Sequence, residues 1–155
     1  MIRRAVETDA KDILSLLLQV HRVHSAGRPD IFKVGGRKYT PEELKGIIAD
    51  DERPIFVHEN AEGVVDGYVF CVYEYTEESP SVYAMKTMYI DDLCVDEKLR
   101  GSHIGSALYD YAKCVAKENG CYRVTLHVWE LNPGAKAFYE KQGLKPLYTA
   151  MEDIL

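Results

Sequence analysis

No stretch of the chain approaches the ~20 consecutive apolar residues of a membrane-spanning helix. The opening MIRRAVETDA carries two arginines but lacks the apolar run of a secretory signal. A basic block is also missing, and the formal net charge is -6. That removes the electrostatic footprint of nucleic-acid binding and favours attraction of a cationic partner such as an amine. The four cysteines, Cys71, Cys94, Cys114 and Cys121, stand singly with no C-x-x-C pair. They read as reduced thiols of a cytoplasmic protein and not as a disulfide framework or metal site. His21 and His24 are three residues apart, but no third ligand is in register, so no metal is expected. Internal repeats, low-complexity tracts and linkers are absent as well. The 155 residues therefore read as one domain, 1–155, long enough to bury about two-thirds of the unfolded chain's surface.

What is present centres on Met88 to Ser106, MYIDDLCVDEKLRGSHIGS. Met88, Ile90, Leu93 and Val95 are interleaved with Tyr89, Asp91, Asp92 and Cys94, the pattern of a strand. After the turn Asp96-Glu97-Lys98 the period becomes helical, with Ile104, Ala107, Leu108, Tyr111, Ala112 and Val115 on one face. A strand that feeds a Gly-containing loop and opens a helix is suited to binding phosphate. Free N–H groups and the positive helix end point at the anion, and Arg100 adds a cation able to fork onto it. Neither the Walker spacing nor the dinucleotide fingerprint is met by Gly101 and Gly105.

The flanking chain gives a mixed sheet with helices. Ile2 to Val6 predicts a first strand, and Thr8 caps a helix on which Ile13, Leu14, Leu17, Val20 and His24 recur. The loop Phe32 to Lys38 carries Gly35 and Gly36 and reads either as a substrate lid or as a plain surface connection. Thr40-Pro41-Glu42-Glu43 is a capping box opening a second helix, whose buried face is Leu44, Ile47 and Ile48. Strands follow at Pro54 to His58 and Val64 to Tyr75, with Gly67 marking a bend in the second. Asn119-Gly120 stops the third helix, Tyr122 to Val128 is a strand, and Asn132-Pro133 starts a fourth helix. Leu144 to Met151 is expected as a final strand, with Pro146 at an edge.

Arg100 and Gly105 fit motif A of the GNAT superfamily of N-acetyltransferases, R/Q-x-x-G-x-G/A, with His103 where the first motif Gly is usual. A second segment, Trp129 to Leu144, resembles the family's C-terminal signature N-x-x-A-x-x-F-Y-x-x-x-G-F. Asn132, Ala135, Phe138, Tyr139 and Gly143 all match, with Leu144 for the usual Phe. The order of elements also fits from end to end. The resemblance implies an α/β mixed sheet, mostly antiparallel, splayed at the motif A strand into a cleft. It implies acetyl-CoA as co-substrate, with the pantetheine arm on the backbone of Leu93, Cys94 and Val95. The pyrophosphate would lie on the N–H groups of Arg100, Gly101, Ser102, His103, Ile104, Gly105 and Ser106. Asn132 would hold the pantetheine or cap its helix, and Tyr139 would face the sulfur. A homodimer is expected on the same ground.

Acetyl transfer needs an amine to attack the thioester, lose a proton and release a thiolate. An alkyl amine with pKa ~10.4 is mostly protonated at neutral pH and needs a base, while a thiol leaving group of pKa ~8.5 is helped by a donor. Tyr139 is the candidate general acid. The oxyanion would take a backbone N–H from a bulge near Cys94-Val95. Covalent catalysis through Cys94 is available chemically but unnecessary for direct transfer. The run Ile90-Asp91-Asp92-Leu93-Cys94-Val95 is similar to that of polyamine acetyltransferases, in which the first acid binds or deprotonates the amine. Asp91 is thus the first candidate base and Asp92 the second, and strand alternation sends them to opposite faces. Glu130, Tyr73 and Tyr75 are weaker acceptor-site candidates, and His127 and His103 read as structural. The expected reaction is acetyl transfer to a small cationic amine. A protein N-terminus or lysine is the alternative acceptor, and a non-catalytic acyl-CoA-binding module is the alternative class.

Overall fold

The computed structural model describes residues 1–155. Its elements are β1 (Ile2–Arg4), α1 (Ala10–Gly27), α2 (Pro41–Ile48), β2 (Ile55–Glu59), β3 (Val65–Thr76) and β4 (Met85–Val95), followed by α3 (Ile104–Glu118), β5 (Arg123–Leu126) and α4 (Pro133–Lys141). The five strands form one sheet in chain order. β1 to β4 run antiparallel to their neighbours, and β5 joins β4 in parallel. This is the mixed sheet with flanking helices expected from the sequence.

The period-2 pattern of β3 decides where each helix packs. Tyr68 and Phe70 face one side and meet Ile13, Leu16 and Leu17 of α1 and Leu44 and Ile47 of α2. Val69 and Cys71 face the other side, where Met88 and Ile90 of β4 and Leu108, Tyr109 and Ala112 of α3 complete a second core. The capping box of α2 forms as read. The Glu43 N–H donates to the Thr40 hydroxyl at 3.2 Å, and the Thr40 N–H donates to the Glu43 carboxylate at 2.8 Å.

Two expectations are corrected. α1 is not capped by Thr8. One turn of 3₁₀ helix, Glu7–Asp9, precedes it, and the Arg3 guanidinium fixes both Asp9 oxygens at 2.7 and 2.9 Å. The residues Leu144 to Met151 form no strand. Pro146 supplies no N–H, and the chain is instead held by side chains. Tyr148 lies 2.6 Å from His127 Nε2, and Arg28 pairs with Glu152. The irregularity expected at Gly67 is present: Gly67 opposes His58 but Val65 opposes Glu59, so Asp66 is an extra residue of β3. Gly67 is also where α3 lies close against the sheet: an added Cβ would lie 3.1 Å from both Ile104 Cγ2 and Leu108 Cδ1 and 3.2 Å from the Cys94 carbonyl oxygen.

A methyl group at Gly67 must therefore push α3 away from β3. Gly67→Ala is expected to lower stability by about 1–3 kcal/mol. Urea unfolding followed by circular dichroism measures this, and an unchanged midpoint would show that α3 does not depend on that close approach.

Candidate active site

β5 pairs with β4 only from Thr87 through Ile90, and its partner strand continues to Val95. From Asp91 onward β4 has β3 on one side and no strand on the other, so alternate backbone groups face a gap. That gap is part of a cleft of about 2600 Å³ reaching from the start of α3, along β4 and β5, to α4 and the Phe32–Lys38 loop. The splay expected at this strand is present.

At one end of the cleft is the start of α3. The N–H groups of Gly101, His103, Ile104, Gly105 and Ser106 have no acceptor within the chain. They form an anion cradle at a helix N-terminus. Ser102 is the exception, because its N–H and hydroxyl both donate to the Leu99 carbonyl. The loop turns through Gly101 at φ 85° and His103 at φ 67°, and His103 is the sole non-glycine residue with positive φ. The position where motif A has glycine thus requires left-handed backbone, and this chain places a histidine in that strained conformation. Arg100 lines the same end of the cleft.

Midway along the cleft, the register of β3 against β4 slips by one residue. Phe70 opposes Asp92 and Cys71 opposes Ile90, leaving Asp91 as the extra residue of a bulge. This moves the expected bulge from Cys94-Val95, where Cys94 and Val95 pair regularly with Tyr68 and Gly67. It also overturns the alternation of the two acids, because the bulge turns both carboxylates toward one cation. Lys38 Nζ lies 2.8 Å from Asp91 Oδ2 and 3.6 Å from Asp92 Oδ2. Tyr39 donates to Asp91 at 3.4 Å, and Tyr68 donates to Asp92 at 3.2 Å.

The two acids differ in environment. The Asp91 side chain is 29% exposed and that of Asp92 11%. Burial raises the Asp92 carboxyl above its ordinary pKa, despite the opposing pull of Lys38 and with the Asp91 charge adding to the rise. Burial also lowers the affinity of Lys38 for its proton, but the charges of Asp92 and Asp91 outweigh that and leave its pKa raised.

Tyr139 lies on α4 in the same cleft, its ring edge-on to Phe138 with centroids 5.1 Å apart. Burial, with the Asp92 charge adding to it, pushes its phenol well above the usual tyrosine value. Asn132 caps α4 by accepting from the Ala135 N–H at 3.1 Å, one of its two anticipated roles. Leu93 and Val95 pack with the α3 core, whereas Cys94 is turned toward α1, 4% exposed, its thiol 3.8 Å from the Leu16 carbonyl. Burial pushes the Cys94 thiol up to about 12, so it is not a nucleophile at neutral pH.

Among the weaker candidates, Tyr73 and Tyr75 lie outside the cleft. Tyr73 sits under Lys86, and Tyr75 donates to Glu52 at 3.0 Å. Glu130 lines the cleft and pairs with Lys136. His127 links Tyr89 of β4, 3.3 Å away, to Tyr148. The Phe32–Lys38 loop is a wall of the cleft: Phe32 packs on His24 and Trp129, with ring centroids 5.0 and 5.3 Å away. Lys38, Tyr39 and Tyr68 were not foreseen as partners of the acids. Lys38 lies 53 positions from Asp91, and nothing in the loop's composition pointed to the pairing.

The description "Acetyltransferase (GNAT) family" matches residues 19–144. The chain belongs to that family. It is 28% identical over 144 residues to an uncharacterized N-acetyltransferase of Methanocaldococcus jannaschii, covering 93% of this chain and 60% of that relative's length. It is 34% identical over 56 residues to glucosamine 6-phosphate N-acetyltransferase 1 of Dictyostelium discoideum, covering 36% of this chain and 34% of the relative. The crystal structure of a mutant Bacillus halodurans protein superposes with a TM-score of 0.96 at 29% identity, over 100% of this chain and 99% of that one.

The strained residue of the cradle has a measurable consequence. His103→Val is expected to lower stability by about 1–3 kcal/mol, because a β-branched residue suits left-handed backbone worst. His103→Gly should leave stability equal or higher. Thermal melts of the three proteins check this order, and equal melting of the Val variant would mean that the turn relaxes at no cost.

Proposed function

We propose that this chain transfers the acetyl group of acetyl-CoA directly to a primary amine, without a covalent enzyme intermediate. The observation that carries this reading is the continuity of one cleft: anion cradle, open edge of β4, then the acid pair and Tyr139 together. The residues fit the co-substrate. The free N–H groups of Gly101 and of His103 to Ser106, with Arg100, would hold its pyrophosphate, and the unpaired edge around Leu93 and Val95 would pair with its amide-bearing arm. When bound it supplies an activated acyl group on sulfur.

The chain's own groups then have separable tasks. Asp92 is the better base, because its raised pKa brings it closer to the amine whose proton it must accept. Asp91, more exposed and already in contact with a cation, anchors the ammonium. This reverses the order expected from the sequence. Tyr139 keeps its proton throughout the working range and presents it to the departing sulfur, whose basicity the same dry site raises. A backbone N–H on the open edge of β4 meets the oxyanion.

The acceptor is a small amine carrying positive charge. The two carboxylates and the net charge of -6 support it. Amino sugars are a suitable class, since one relative is named for glucosamine 6-phosphate. The reading is tested by release of free thiol from acetyl-CoA across polyamines, amino sugars, aminoglycosides and N-terminal peptides. Turnover with one class is expected, and binding of acetyl-CoA without thiol release for any amine would favour a non-catalytic module.

Tyr139→Phe should lower kcat by about 10²-fold with little change in KM. Unaltered turnover would remove the phenol from the reaction. For Asp92 the base form is lost as pH falls through its raised pKa, so the rate should decline on the acid side above the ordinary carboxylate range. Asp92→Asn should be slow and lack that acid limb. An intact limb in the variant would assign the titration elsewhere.

A further inference from the structure

The acid pair assigned to the incoming amine is already in contact with a primary amine of the chain itself. Lys38 Nζ is 2.8 Å from Asp91 and 3.6 Å from Asp92, with its side chain two-thirds buried in the cleft. It arrives on a segment that turns through Gly35 at φ 73° and Gly36, and the neighbouring Tyr39 ring stacks on Phe70, centroids 6.0 Å apart. Lys38 is thus presented from the cleft wall, and not from a core helix. A second ammonium cannot join it on the same two carboxylates without like-charge repulsion.

We infer that Lys38 is an internal acetyl acceptor: the chain acetylates its own Lys38, and this frees the acid pair for an external cationic amine. The inference rests on the acetyl-transfer reading. In the reaction the Lys38 ammonium gives one proton to Asp92, and the freed nitrogen pair forms an amide bond to the acetyl carbon. The carbon–sulfur bond breaks with its electron pair on sulfur. The nitrogen's second proton balances the thiolate as thiol, with the Tyr139 hydroxyl as relay. Asp92 returns its proton to solvent. The product is a neutral amide that no longer pairs with Asp91 or Asp92, so the modification unplugs the acceptor site.

The test is incubation of the whole chain with acetyl-CoA and no added amine, followed by intact mass and peptide mapping. One acetyl group per chain is expected, on Lys38, at a rate at least tenfold above the exposed Lys11 and Lys117. Its first-order rate should be independent of protein concentration. Tyr139→Phe should slow the Lys38 reaction and leave Lys11 and Lys117 unchanged. A readout without acetyl-CoA accompanies it: Lys38 should be labelled by an amine-reactive ester more slowly than Lys11, and an added amine acceptor should raise its labelling. Acetylation of Lys38 no faster than of Lys11, in protein that releases thiol with an external amine, would overturn the inference and leave the transferase reading standing. Neither thiol release with any amine nor acetyl on Lys38 would remove both.

Discussion

The extra residue at Asp91 is the constraint on which the working part of the molecule depends. A bulge adds a residue to one strand, strengthens the local twist and ends regular pairing. Here it follows directly on Ile90, the last residue of β4 that β5 reaches. The parallel neighbour stops where the strand turns away, and a sheet edge opens inside the protein. An unpaired edge there is costly unless something pairs with it. The amide-bearing arm of the proposed co-substrate would meet that need at the edge the irregularity opens. The bulge also turns both acids toward one cation, which regular alternation would forbid.

Electrostatics at this point is a matter of competing desolvation and pairing. Asp92 is buried against Tyr68 and the β3 core, and burial outweighs the attraction of Lys38. For Lys38 the balance falls the other way, because two carboxylates face one ammonium. The result is an acid pair of unequal character held by a single cation. Tyr139 feels the same dry surroundings and stays neutral. Cys94 is near in sequence, but its side chain is directed into the α1 core, which removes it from the chemistry.

The rest of the fold holds this arrangement still. α3 must lie close on β3 for its N-terminus to end at the mouth of the cleft, and Gly67 permits that approach. α4 is started by Asn132 and Pro133, which sets Phe138 toward the second core and Tyr139 toward the cleft. The wall opposite is a loop joined to the structure through Phe32, Lys38 and Tyr39.

Local physics made much of this legible in the sequence. The capping box at Thr40, the cap at Asn132, the helical faces of α1, α2 and α3 and the strand-to-helix loop at Arg100 depend on residues within a few positions of each other. The family resemblance carried by Arg100, Gly105, Asn132 and Tyr139 rests on the same short spacings. Other features are decided between distant segments. The alternation rule for Asp91 and Asp92 failed because a bulge depends on register with β3, which β4 cannot specify alone. Leu144 to Met151 has strand-like residues, but Pro146 lacks an N–H and the segment is held by the contacts of Tyr148 with His127 and of Glu152 with Arg28 instead. Lys38 meets Asp91 across 53 positions, through a loop whose path is set by packing on Trp129 and Phe70. Sequence by itself determined the helices, the strands β1 to β5 and the cradle, since those are short-range. Only the tertiary structure decided which charges meet, because the pairing of an exposed-looking lysine with two acids is a property of burial, and burial is collective.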